Sequence, residues 1–590
     1  MKRNNKDRLS YLYNKYENIK YPSIFTIIVL LSCFLSIYTL QEQIGIEFRI
    51  IFYILVYLGA QDMSNVINEL KRRYIGFFDR FILFIICMLA TFFETGAYYL
   101  EPIYINLVPV ISYFALSAVW VSVIVLFLIN KLNNWLEIQN IVEEKGFSIK
   151  ANLFLFITCI TLCMLCNYAF NPAITSPDSQ DCYSNAFRLG EESIPGGHPV
   201  FYIILLKLCT YFTSNIQFMI WIQIVYYAII LTYTMNILVQ IGVSKKTCVV
   251  IFVFVGIGFN TIIQMATLWK DIPFTISLLW FTALLIKMCI HQEKCSKGIS
   301  WYVQYIIAAV LTSMIRHNGM LPVAATLILA LILLRQKRKI LIATVITASI
   351  IFIIKGPIYS KFQIDEEPGL KFYAMANDIL YLYYYGECDD VLMPVVNDIT
   401  DGNPIGFDYN PYYTHVNREG LNHYSVPEFL SIYLHAWRSQ PKMMLRGFLK
   451  RNAVIWSIDK TCYESVGCVN YLGEYHDAEC QEQYPERKPN YFTEKLTALF
   501  SKLTNNRLFY TLYWRTAIYH LLMIIVMGLV VIRFKTRCIN YILPFIPIST
   551  NVISLSLTSG WPDYRYYWPS MLVASIVIPY ALILLVKKNK

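Results

Sequence analysis

Apolar runs of about 18 to 25 residues, separated by short polar stretches, recur along the whole chain. A helix of about 20 apolar residues crosses the hydrocarbon core of a bilayer. The pattern predicts about fourteen spanning helices. They are placed at 22–40, 49–67, 81–98, 104–130, 151–170, 217–241, 248–268, 273–290, 301–316, 319–335, 338–356, 516–533, 539–558 and 566–586. The stretch 200–213 is apolar but short. It reads as a helix lying along the membrane surface, because counting it as a span would invert every later loop. Residues 357–515 are too polar to span and numerous enough to fold by themselves. The fold class expected is therefore an all-α polytopic membrane protein. It divides into a four-helix module (1–150), a transmembrane core (151–356) with a first external loop at 171–199, an external domain (357–515) and three last helices (516–590).

Composition strengthens this picture. Of 590 residues, 56% are hydrophobic and 15% charged, and the mean hydropathy is +0.47. A soluble chain carries about a quarter charged residues. The basic start, "MKRNNKDRLSYLYNKYENIKYP", lacks the apolar core and small-residue site of a cleaved secretory signal, so no cleavage is expected. The net charge of +11 sits at helix ends. It reads as topology signal and attraction to anionic lipid, with no nucleic-acid partner. Lys and Arg gather in "KRRYIGFFDR", "VSKK", "HQEKCSK", "RQKRK", "RFKTR" and "KKNK", the expected inner loops. They are nearly absent from "QEQIGIEF", the 171–199 loop, "WKD", "RHNG" and "GWPDYR", the expected outer loops. Both termini then lie in the cytoplasm, and 357–515 lies outside. Most of the fifteen cysteines fall in apolar runs and read as buried thiols. Cys388, Cys462, Cys468 and Cys480 share the polar segment, where one or two disulfides are plausible; no CxxC pair points to zinc.

This topology brings four separated stretches to one face. They are "SPDSQDCYSNAFRLGEESIPGGHP" (Asp178, Asp181, His198), "LWKDIPF" (Lys270, Asp271), "SMIRHNGM" (Arg316, His317, Asn318) and "GWPDYRYYWP" (Asp563, Arg565, Tyr566). Charged groups at a membrane boundary are costly unless paired or functional. Lys and Arg near lipid suit an anionic headgroup phosphate, and a carboxylate in a partly closed pocket can take a proton from an attacking hydroxyl. No GxxxxGK[ST], GxGxxG, HExxH or GxSxG is present. The glycines of "GIG" at 256–258 read as close-packing positions inside a spanning helix. Each residue also has a plainer reading. Asp178 can cap a helix starting near Gln180, His198 can mark a helix entry before Pro199, and Lys270 and Asp271 can form a local pair. Arg316 can reach for headgroups, and Tyr566 and Tyr567 can be interfacial aromatics. Gln223, Asn260 and Gln264 read first as bonds between helices. "HAWRSQPKMMLRGFLKRNAVIW" reads as a surface helix that helps hold an anionic lipid or acceptor, "FYAMANDILYLYYYGE" as aromatic packing, and "QEQYPERKP" as a solvated turn.

The acidic first external loop, the surface helix "HPVFYIILLKL" and the late D-x-R-Y before proline resemble the GT-C superfamily, polytopic membrane glycosyltransferases that use polyprenyl-phosphate sugars. "WKDIPF", "IRHNG" and the "HAWRSQPKMMLRGFLKRNAVIW" stretch resemble an uncharacterised bacterial branch. The resemblance covers about 151–590, with 1–150 as an added module. It implies a GT-C-like bundle with the external domain inserted before the last three helices. It also implies inverting transfer with an aspartate of the first external loop as base. The usual Asp-Glu pair is absent; "PDSQD" offers Asp178 or Asp181 instead. The two can hold a divalent cation, as in some relatives, though nothing in the residues demands one.

The function expected is transfer of a sugar from polyprenyl phosphate to a hydroxyl on a cell-envelope glycan, lipid or protein at the outer face. Lys270, Arg316 and Arg565 would neutralise the leaving phosphate, with His198, Asp271, His317, Asn318, Asp563 and Tyr566 completing the site. The alternatives are an envelope polysaccharide polymerase or ligase, and a transporter or flippase of lipid-linked sugar.

Overall fold

The computed structural model describes residues 24–39, 46–74, 76–100, 107–139, 145–291, 298–334, 337–362, 364–365, 368–410, 416–458, 489–560 and 563–586. The basic start, the "QEQYPERKP" turn up to residue 488, Cys462, Cys468 and Cys480 lie outside the described residues. Cys388 is a free thiol.

The described residues are helical almost throughout, and the segments expected to span overlap helices. Among the described residues, seven helices are long and apolar enough to cross a membrane, or eight if one broken pair counts as a span. Ile24–Leu35, Ile299–Ile315, His317–Leu333 and Leu543–Thr558 are shorter apolar helices, as is Val200–Thr210, the stretch read as lying on the surface.

Two compact units form, Met1–Ile138 and Gln139–Lys590. The first boundary falls some way before the expected 150. In the first unit, Ile24–Thr39, Ile46–Arg73 and Phe77–Leu100 all pack on Leu107–Ile138. In the second, the most buried spans are Asp271–Ile290 and Tyr564–Val586, with 78% and 67% of their apolar windows covered. Ile149–Ala169 and Lys337–Lys361 keep only 22% and 17% covered, so they face outward. The inner pair pack on each other and on Ile216–Ile241. Local chemistry sets the ends. Ser148 accepts from the Ala151 amide at 3.2 Å, Asn215 accepts from that of Gln217 at 2.9 Å, and Gly242 closes its helix at φ 110°.

The span expected at 248–268 is broken. Lys245–Gly256 and Phe259–Met265 meet at 57°. A wide turn at Phe252–Gly256 precedes the break, and a Cβ on Gly258 would lie 2.2 Å from the Phe254 carbonyl oxygen. Gly258 therefore marks the break; close packing describes Gly256 alone, against Leu231. The carbonyls freed there are satisfied inside the bundle, as apolar surroundings require. Tyr227 donates to Gly256 O at 2.7 Å and Thr261 to Val255 O at 2.7 Å. Asn260 Nδ2 reaches Tyr513 O at 2.9 Å and Tyr564 OH at 2.6 Å, and Gln223 Nε2 reaches the carbonyls of Met265 and Thr267. Gln223 and Asn260 thus join segments to one another, as first read.

The polar segment is compact with the membrane helices. The basic stretch expected as one surface helix breaks at Gln440 into Val426–Ser439 and Pro441–Arg451. Pro441 opens the second helix, where its missing N–H costs nothing. Tyr373–Tyr385 packs on the second of these helices, which buries Tyr373 and Tyr381 and half-buries Tyr383 and Tyr384, while Tyr385 stays exposed. Arg451 points inward. Its Nε and Nη2 donate to the two Asp378 carboxylate oxygens at 3.0 and 2.9 Å, and its Nη1 to the carbonyls of Ser556 and Ser559 at 2.9 and 2.7 Å. Tyr433 donates to Asp378 as well, at 2.8 Å. Both charged side chains are about 98% covered or more. Arg451→Ala leaves Asp378 buried and unpaired, at an expected cost of about 3–5 kcal/mol. Arg451→Met with Asp378→Leu, which removes both charges, should recover a large part of that loss. Unfolding of the three proteins in detergent checks this; equal stability of the single variant and the parent would show that the pair holds nothing together.

Candidate functional site

The acidic loop and the "WKD" loop are joined before any charge is considered. Ile174 N donates to Ala266 O at 2.9 Å and Leu268 N to Ile174 O at 3.0 Å, a short parallel bridge. Ser176 begins a helix, Pro177–Arg188, through a reciprocal capping box with Ser179. Asp178 therefore stands in the first turn of that helix, where an acid suits the helix dipole, and does not cap one starting at Gln180. Ser176 Oγ also accepts from Trp269 Nε1 at 2.6 Å. This places Lys270, the next residue, against Asp178. Further on, Ile194–Pro195 pairs in parallel with Ile364–Asp365.

Three cations and three carboxylates from four chain segments then meet. Asp178 Oδ2 lies 2.9 Å from Arg565 Nη2 and 3.4 Å from Lys270 Nζ. Arg565 Nε lies 3.1 Å from Asp563 Oδ2, and its backbone N–H donates to Asp563 Oδ1 at 2.9 Å. Arg316 Nη1 lies 2.5 Å from Asp271 Oδ1, the first residue of Asp271–Ile290. Tyr566 sits between the two arginines, with guanidinium centres 4.8 Å (Arg565) and 4.9 Å (Arg316) from its ring. Trp269 covers Arg565 at 4.9 Å, and Phe274 lies 5.6 Å from Arg316. The aromatic faces stabilise both cations where water is scarce. Tyr566 OH also accepts from Arg565 Nη2 at 2.8 Å. The interfacial reading fails for Tyr567, which is fully buried beside Val454 and Leu555.

Arg316 owes its position to a tight turn. It adopts extended backbone after Ile299–Ile315, and His317–Gly319 form a single turn of narrow helix before Met320–Leu333. A Cβ on Gly319 would lie 2.0 Å from Thr312 O, so only glycine fits. Asn318 does not reach the charges; its Nδ2 donates to Asn551 Oδ1 at 2.9 Å. His317 bonds to the Gly197 backbone. Burial, then Lys270, Lys355 and His198, push its pKa down to about 4, so it is a neutral imidazole.

The acids differ in kind. Burial works to raise Asp178, but Lys270, Arg565 and His198 outweigh it and hold the carboxyl well below the usual carboxylate range. Asp563 is raised to about 6, chiefly by burial, with Arg565 opposing. Asp181 lies outside the cluster, with 60% of its side chain exposed, and faces His198 Nε2 at 3.5 Å. The other ring nitrogen, His198 Nδ1, is 3.0 Å from Lys270 Nζ. Only one of these two nitrogens can present a hydrogen along that contact. For His198, burial and Lys270 act downward, while Cys182 and Asp181 outweigh them and lift the pKa to about 9.

Asp178 and Asp181 do not fit as a metal pair. Asp178 faces two cations and Asp181 faces His198. Among the described residues, no group of three or more His, Cys, Asp and Glu is placed to hold a metal ion. Residues of the site not singled out from the sequence include Ser176, Trp269 and Phe274, which lie inside the quoted motifs, and Lys355, which acts on His317. The lysine in "IIKGP" was the available signal, a cation placed just before the polar segment.

The arrangement can hold an anion among three cations, beside an exposed carboxylate backed by an imidazole. No protein-family model, curated protein sequence or solved structure matches this chain.

The two shifted acids act in separate pH windows. Unfolded, Asp563 ionises near pH 4; folded, it keeps its proton up to about pH 6. Its stabilising share is present below pH 4 and lost as pH rises to about 6, on the order of 3 kcal/mol. Asp178, shifted the other way, contributes stability above about pH 4 that disappears as pH falls further. Asp563→Asn should flatten the profile between pH 4 and 6 while leaving the acid limb, as read by unfolding in detergent across pH. An unchanged slope between pH 4 and 6 would show that another group sets it.

Proposed function

We propose that the chain is a membrane glycosyltransferase that moves a sugar from a polyprenyl-phosphate donor to a hydroxyl of a cell-envelope glycan, lipid or protein. The observation that carries this reading is the meeting of Lys270, Arg316 and Arg565, from three chain segments, beside the exposed Asp181–His198 pair. An anionic leaving group needs such cations, and an attacking hydroxyl needs such a base. In this reading the site faces outward, both termini face the cytoplasm, and the GT-C-like bundle carries fourteen spans.

The step balances simply. The acceptor hydroxyl gives its proton to an aspartate. Its oxygen bonds to the anomeric carbon from the side opposite the phosphate, and the bond from that carbon to the phosphate oxygen breaks. The electron pair leaves with the lipid phosphate, whose charge the three cations receive. Asp181 suits the base better than Asp178, because it is exposed and faces only His198, at 3.5 Å, whereas Asp178 is held by both Lys270 and Arg565. Asp178 holds Lys270 and Arg565 in place until a phosphate displaces it from Arg565.

Purified protein mixed with radiolabelled polyprenyl-phosphate sugars and membrane extract tests this. Wild type should transfer label. Asp181→Asn should slow transfer about 100-fold or more. Asp178→Asn should slow it as well, and Arg316→Ala should raise the donor KM. Full activity in both aspartate variants would sink the assignment.

One observation favours a second reading. The break at Gly258 resembles the discontinuous helices of transporters, so the chain would move lipid-linked sugar across the bilayer. Label that changes leaflet but never leaves its lipid would select that reading.

A further inference from the structure

A groove of about 460 Å³ opens in the first unit, between Ile46–Arg73, Phe77–Leu100 and Leu107–Ile138. Its walls are apolar, with Leu70, Phe84, Met88 and Leu126 among them. At roughly 30 Å³ for a water-sized group, it has room for about fifteen methylene-sized units, the bulk of one acyl chain. Two cations, Lys71 and Arg80, line the same groove, and both are exposed. Arg80 Nε donates to the Tyr74 carbonyl at 3.2 Å, which fixes its guanidinium beside the groove. Cys87 and Ser122, also in the lining, hydrogen-bond to each other, so they make no demand on a ligand.

Three of the neighbouring acids are committed elsewhere, and Asp79, next to Arg80 in the chain, is buried and forms no ion pair with another described residue. Glu137 pairs with Arg73 at 2.7 Å, Asp62 with Lys131 at 3.1 Å, and Glu69 accepts from Asn134 at 3.1 Å. Among the described residues, no carboxylate pairs with Lys71 or Arg80. An apolar slot of acyl-chain size that shares its lining with two uncompensated cations matches one chemistry: a long apolar tail joined to an anionic phosphate. Lys and Arg supply the donors that a phosphate accepts, and each basic side chain near an anionic headgroup contributes attraction.

We propose that the groove is a binding site for a glycerophospholipid of net negative headgroup. One acyl chain lies along Leu70, Phe84, Met88 and Leu126, and the phosphate sits between Lys71 and Arg80. This site belongs to the first unit and does not depend on the reaction proposed for the second.

The test uses the full chain purified in detergent and titrated with phosphatidylglycerol or phosphatidylcholine, bound lipid being counted by native mass spectrometry. Phosphatidylglycerol should be retained preferentially. Lys71→Ala and Arg80→Ala should each weaken it about fivefold. Arg72→Ala removes an exposed cation from the same turn but outside the groove lining, and should leave retention unchanged. Leu126→Trp should displace the lipid by filling the groove; if that variant misfolds, the three surface variants still decide the matter. Equal retention of the two lipids overturns the proposal. So does an Arg72→Ala loss equal to the other two, which would mean diffuse attraction to a basic surface. Displacement by the same concentration of inorganic phosphate would mean a free-anion site and overturns it too.

Discussion

Arg565 sits inside packed protein with 6% of its side chain exposed, and a guanidinium there must have anionic partners. Asp563 comes from its own turn, but Asp178 has to come from a distant part of the chain. Much of the local architecture follows from that requirement. The Ile174–Thr267 bridge fixes how far along the chain the first loop meets the "WKD" loop. The Ser176–Trp269 bond sets the start of the acidic helix, and with it the direction of Asp178. Tyr566, held between two guanidinium groups, carries the constraint on to Arg316 and Asp271. Each link satisfies a polar or charged group that would otherwise be stranded in an apolar frame.

The same pairing makes the cluster nearly neutral as a whole. Lys270, Arg316 and Arg565 arrive with Asp178, Asp271 and Asp563 already beside them. An entering anion does not meet bare positive charge; it has to outcompete a carboxylate. That favours a ligand with more negative charge than one carboxylate, or with more acceptor oxygens. It also offsets the repulsion among the three cations.

The helices were readable because an apolar run of about 20 residues has few alternatives in a bilayer. Their count as spans was less so, since Ile299–Ile315 and Leu543–Thr558 fall short of a full crossing by length. The convergence of four loops was legible from the distribution of Lys and Arg, and Lys270, Asp271, Arg316, Asp563 and Arg565 do come together. Asn318 does not join them, because it is committed to Asn551. The division of labour between Asp178 and Asp181 was not legible: it depends on which carboxylate faces Arg565, a fact of packing. The break at Gly258 was hidden for a related reason. An isolated glycine in an apolar run reads as close packing unless the backbone that opposes it is known. Arg451 misled in the opposite sense, since a basic residue at helical spacing looks solvated until its buried partner, Asp378, is seen.

Arg451 grips the carbonyls of Ser556 and Ser559 at the end of the Ile546–Thr558 helix, and Asp563 lies four positions beyond Ser559 in the chain. The guanidinium that does this belongs to Pro441–Arg451, a helix of the polar segment. The polar helices and the end of the helix that leads on to Asp563 and Arg565 are therefore joined through one buried guanidinium.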